Sequence, residues 1–129
     1  RKPNISSVGP ELAEFRLAGD WFLYLSVLQG GRVAYVPECL NYHRRHSQSV
    51  IGQAADSNLM IAEAGMVHRF VKDNYSIGQE TSERMTAYAQ ELWRERNPSE
   101  PLEKFWSVYG AELSKAATSR EMPTPVHSE

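Results

Sequence analysis

The sequence predicts a mainly α chain that carries a short β-ribbon, an α+β fragment of about four helices and two short strands. Three observations carry this reading. Residues 53–117 place apolar side chains at helical spacing almost without a break. Residues 1–52 combine one very apolar segment with β-type alternation, and Gly and Pro mark the boundaries between segments. The chain has 129 residues with three Trp, six Tyr and four Phe, enough apolar surface to offset the ordering entropy of one core.

In the first half, Gly19 and Asp20 precede residues 21–28, which are apolar nearly all round and stop at Gly30-Gly31. A buried helix with a glycine C-cap is expected there. Residues 32–36, rich in β-branched and aromatic types and bounded by Gly31 and Pro37, read as a strand, and residues 40–44 as a second short extended segment. Two short strands are marginal by themselves, so the rest of such a sheet is expected upstream of Arg1.

The second half supplies three helices. In the first, Leu59, Met60, Glu63, Met66, Val67, Phe70 and Val71 recur near helical spacing behind Asp56 or Ser57 as N-cap. Met85, Tyr88, Ala89, Leu92 and Trp93 define the second, which Asn97-Pro98 ends. For the third, Ser99 is the expected cap, Pro101 lies in the first turn, and Leu102, Phe105, Trp106, Tyr109 and Leu113 share a stripe. The three are expected to pack together, with residues 118–129 as a flexible polar tail.

Charge excludes some functions. The net charge is −2, acidic and basic residues are interspersed, and no basic stripe accompanies the aromatics, so no nucleic-acid partner is expected. The longest apolar run is far short of the roughly 20 residues that span a bilayer, and no transmembrane segment is expected. A lone Cys39 points to a reducing compartment. The chain opens on Arg1-Lys2-Pro3 without Met or a signal-peptide core, which suggests a piece of a longer polypeptide.

Candidate chemistry is concentrated in two places. Tyr42, His43, Arg44, Arg45 and His46 come just after a strand and before a loop rich in Ser and Gln, where guanidinium forks and imidazoles suit a phosphate or a metal. Alternation along an extended chain lets about half of them reach one ligand. Asp20, before an apolar helix, suits either an N-cap or a general base at a cleft rim. His68 and Arg69 read as part of a polar helix face, and Trp93, Trp106 and Tyr109 as core, because they share stripes with Leu and Met.

In series, Gly19-Asp20-Trp21-Phe22-Leu23-Tyr24-Leu25, then Gly31-Arg32-Val33-Ala34-Tyr35-Val36-Pro37-Glu38, then Leu40, Tyr42, Arg44-Arg45-His46 and Ser49-Val50 resemble one family in order and spacing. Residues 1–52 are similar to the C-terminal part of the catalytic domain of family-two inverting glycosyltransferases of the GT-A fold. The resemblance implies the end of a GT-A α/β domain, with residues 53–117 as a three-helix extension. By position, Asp20 matches the general base, Trp21 an aromatic on the acceptor side, Arg44 and Arg45 cations at the departing diphosphate, and His46 a histidine near the metal. Phe22, Ser26, Cys39 and His43 stand where the family commonly has an acidic residue, Arg, Pro and Tyr.

The same resemblance implies a nucleotide-sugar donor, a saccharide or lipid-linked acceptor, and a divalent Mn²⁺ or Mg²⁺ ion in the full-length enzyme, working in the cytoplasm or at the inner face of the membrane. The Asp-x-Asp metal motif is missing from this chain. No cofactor and no transferase activity are therefore expected of these residues alone. An apolar surface left by missing strands favours self-association, a homodimer included. The alternative is a helical interaction or oligomerisation module without catalysis.

Overall fold

In a computed structural model of the chain, the described residues are 8–38 and 57–115. Their elements are α1 (Gly9–Leu12), α2 (Gly19–Leu28), α3 (Ser57–Asn74), α4 (Gln79–Arg96), and a last helix in which α5 (Leu102–Phe105), a π-helical turn (Trp106–Gly110) and α6 (Ala111–Leu113) follow one another without a break. The mainly α class is as expected.

α3 is the central element. Ile61, Glu63, Ala64, Val67, His68 and Phe70 are all buried, a set that covers more of the helix than one amphipathic stripe. One core joins Ile61 to Ala89 and Trp93 of α4 and to Phe105 and Tyr109 of the last helix, with Leu92, Val108 and Leu113 packed around it. Phe105 stacks on Tyr109 at 4.9 Å between ring centroids. A second core joins Phe70 to Val8 and Phe22, with Leu12, Phe15, Leu25 and Tyr75 around it. There Phe22 stacks on Phe15 and meets Phe70 edge-on, each at 4.9 Å, and the Tyr75 hydroxyl donates to the Leu25 carbonyl. Full burial of such side chains contributes about 1.5–3 kcal/mol apiece, so Phe22 and Phe70 are the main tie between the two halves.

Close backbone approach explains Gly65 in the middle of α3. A Cβ built there would lie 2.9 Å from the Tyr109 carbonyl oxygen and 2.9 Å from Glu112 Cβ. The three helices predicted for the second half thus pack together, two of them against α3, and α4 stops where Asn97-Pro98 predicts, with the Asn97 N–H donating to the Trp93 carbonyl at 2.8 Å.

Several expectations need correction. Residues 31–37 form no strand: they have no regular structure, and Val33 and Tyr35 are 73% and 87% exposed. A strand persists only when its backbone groups find a ladder partner, and none exists among the described residues. The second extended segment, 40–44, lies outside them, as do Asp56 and the polar tail. α2 is not wholly buried either. Phe22 is, whereas Trp21, Tyr24 and Val27 on the other side are exposed, because α2 packs through one face only. Its end does use glycine: Gln29 and Gly30 form a type II turn in which Gly30 has φ +67° and the Gly31 N–H donates to the Leu28 carbonyl at 3.0 Å.

In the last helix the N-cap is Pro101, not Ser99. Trp106 is exposed rather than part of the core. The π turn beginning at Trp106 inserts a wider winding, so the stripe read at α-helical spacing does not stay on one side.

Candidate functional site

Asp20 lies in the first turn of α2, exposed, and its Oδ1 accepts the Trp21 N–H at 2.9 Å. It is not the N-cap. That position belongs to Ala18, whose carbonyl accepts the Phe22 N–H at 3.1 Å. Trp21 follows it in sequence and is 45% exposed, so a carboxylate and an indole are both exposed in the first turn of α2. Gly19 admits this entry at close quarters, since a Cβ there would meet Leu12 Cδ1 at 3.3 Å and Phe15 Cβ at 3.4 Å.

What holds the approach to Asp20 is a residue from the other half of the chain. Glu63, on α3, is 1% exposed, and its carboxylate accepts three successive backbone N–H groups: Arg16 to Oε1 at 2.8 Å, Leu17 to Oε2 at 2.9 Å and Ala18 to Oε2 at 2.6 Å. Three convergent donors replace the water a carboxylate gives up on burial, and charge-assisted bonds of this kind are about twice as strong as neutral ones. The peptide immediately before Asp20 is thereby fixed to the helical half. The signal for it is in the sequence: Glu63 interrupts the apolar stripe of Leu59, Met60, Met66 and Val67, where a carboxylate needs buried partners.

Arg44, Arg45 and His46 lie outside the described residues, so their placement relative to Asp20 is not part of this site. Among the described residues, no three His, Cys, Asp or Glu side chains come together as a metal site.

A second polar centre lies within the helical half. His68 is 6% exposed, not on a polar face, and its Nδ1 is 2.8 Å from the Tyr109 hydroxyl, with the rings edge to face. The reading of Tyr109 and Trp93 as core is right, and Tyr109 adds this bond. Thr86 Oγ1 donates to the Ser82 carbonyl at 3.2 Å and lies 3.4 Å from the same hydroxyl. Burial first, and the neighbouring Lys72 cation second, lower the His68 pKa from 6.5 to about 4, so the ring is neutral at physiological pH. Burial likewise raises the Tyr109 pKa. Arg69, next along α3, turns to the end of the last helix, where Nη1 donates to the Glu112 carbonyl at 2.7 Å. His68 lines an open cleft of about 320 Å³ whose other walls, among the described residues, are Thr81, Arg84, Met85 and Tyr88 of α4.

No known protein family, curated protein or solved structure matches this chain.

Proposed function

We propose that the chain is the acceptor-side end of a nucleotide-sugar-dependent inverting glycosyltransferase, followed by a helical extension. The observation that carries the reading is the exposed Asp20 carboxylate at the head of α2, beside Trp21 and within the motif series described above. With Oδ1 engaged by the Trp21 N–H, Oδ2 is the oxygen available to an acceptor hydroxyl. In the proposed step that hydroxyl gives its proton to Asp20 as its oxygen bonds to the anomeric carbon. The bond from that carbon to the diphosphate oxygen breaks, and its electron pair leaves with the nucleoside diphosphate. Trp21 offers an apolar face to the sugar acceptor.

The test uses the chain joined to the upstream nucleotide-binding half that this family carries. Nucleoside-diphosphate release is followed over a panel of nucleotide sugars with Mn²⁺ or Mg²⁺, for wild type and Asp20→Asn. Turnover that falls by about a hundredfold or more in Asp20→Asn supports a general base there. Equal turnover moves the base elsewhere, and no turnover by wild type across the panel overturns the transferase reading.

One observation favours a second reading, a non-catalytic module that associates with a second copy of itself. Trp21, Tyr24 and Val27 lie along one side of α2 and are exposed, and Val33, Tyr35 and Val36 follow them in the chain, also exposed. Apolar groups in such number mark interaction surfaces. Concentration-dependent dimerisation in sedimentation velocity, lost in Tyr24→Ser, supports it. A monomer at every concentration excludes it.

A further inference from the structure

The cleft beside His68 is independent of Asp20 and its chemistry, and its residues form one arrangement. Thr81, Arg84, Met85 and Tyr88 fall at i, i+3, i+4 and i+7, so α4 presents all four on one face. His68 enters the same cleft from α3. The residue is 6% exposed, and among the described residues only Nδ1 has a hydrogen-bond partner. A neutral imidazole holds one proton and offers two positions.

The partners of Tyr109 decide which position carries that proton. Thr86 gives its single proton to the Ser82 carbonyl and stands 3.4 Å from the phenol, whereas His68 Nδ1 stands at 2.8 Å. With the phenol donating to Nδ1 over this shorter distance, the ring proton sits on Nε2, which has no partner among the described residues. Around this N–H the cleft offers the Thr81 hydroxyl and the Arg84 guanidinium, and Arg84 joins none of the ion pairs of the described residues. Among the described residues, no carboxylate lines the cleft. Lys72, one turn along α3, adds positive potential at the imidazole. Met85 and Tyr88 supply a thioether and an aromatic wall.

A guanidinium and hydrogen-bond donors with no carboxylate beside them among the described residues, set against an apolar wall, have a defined complement. We infer that this cleft binds a small oxyanion carried on an aromatic or apolar body, with Arg84 pairing the charge, His68 Nε2–H and Thr81 donating hydrogen bonds, and Met85 and Tyr88 packing against the body. The volume of about 320 Å³ is at the lower end of ligand pockets, roughly 300–1,000 Å³, and limits the body to about one ring. The extension would then carry a small-molecule site of its own.

The test is an NMR titration of the isotope-labelled full chain with benzoate, phenyl phosphate and the neutral isostere benzamide. Expected are saturable shifts of the Thr81, Arg84 and Tyr88 amides and of the His68 side-chain nitrogens with the two anions, and at least about a tenfold weaker response with benzamide. Whichever anion binds more tightly identifies the oxyanion as carboxylate or phosphate. Arg84→Gln, at an exposed position, should weaken binding about tenfold, whereas Arg94→Gln, on α4 but outside the cleft, should leave it unchanged. Absence of saturable shifts up to the solubility limit overturns the inference. So does benzamide binding as tightly as benzoate, or an Arg84→Gln protein that binds as wild type does.

Discussion

The backbone N–H of Ala18 donates to the buried carboxylate of Glu63 at 2.6 Å, across 45 positions of sequence. With the parallel bonds from Arg16 and Leu17, it ties the start of α2 to the middle of α3. The carboxylate is a polar tie beside the apolar one of Phe22 and Phe70: removing it leaves three donors facing a buried site without an acceptor.

Glu63→Gln is therefore expected to destabilise the protein by about 2–3 kcal/mol, because the amide keeps one acceptor oxygen and turns an N–H₂ toward donors. Urea denaturation of both proteins measures this. A loss below about 0.5 kcal/mol, the usual range for an inconsequential surface change, would contradict it.

Gly65→Ala reverses the usual rule for helix interiors. Helix propensity alone favours Ala over Gly by about 1 kcal/mol. Here the new Cβ meets the Tyr109 carbonyl and Glu112 Cβ, each at 2.9 Å, and backbone must shift to admit it. A net loss of about 1–3 kcal/mol is expected from overpacking, seen as a lower thermal midpoint; an unchanged or higher midpoint would refute the close approach.

His68 sets a pH dependence with a definite sign. Its folded pKa is about 4 and its unfolded pKa 6.5, so between these values the unfolded chain binds the extra proton. The stabilisation from burying the neutral ring is complete above about pH 6.5 and is lost as pH falls toward 4, by about 3 kcal/mol at most. His68→Gln should flatten the difference in urea midpoint between pH 7 and pH 4.5 relative to wild type. Equal slopes in the two proteins would mean that His68 does not govern it.

Tyr24→Ser should leave monomer stability within about 0.5 kcal/mol, because Tyr24 is 63% exposed and on the side of α2 away from Phe22. Phe22→Ala, on the buried side, should cost about 3–5 kcal/mol. Thermal melts at low protein concentration compare the two; similar losses would place Tyr24 in the core instead.

Apolar periodicity was enough to mark α2, α3, α4 and the last helix, though not α1 or the π turn, because it records which face of a helix meets others: Ala89, Trp93, Phe105 and Tyr109 are buried as expected. The sequence likewise determined the punctuation at Gly30 and at Asn97-Pro98, since left-handed φ and a missing N–H are local properties. Tertiary structure alone decided the rest. Whether 32–36 pairs as a strand depends on a partner that local preference does not supply, and among the described residues none is present. Whether Trp21 and Trp106 are buried depends on what packs against them, and hydrophobicity does not name the neighbour. For the same reason the sequence marks Glu63 as a carboxylate within an apolar stripe without naming its partners, and His68 reads as part of a polar face. Their roles come from donors and acceptors 41 to 47 positions away, which folding alone brings within hydrogen-bond distance.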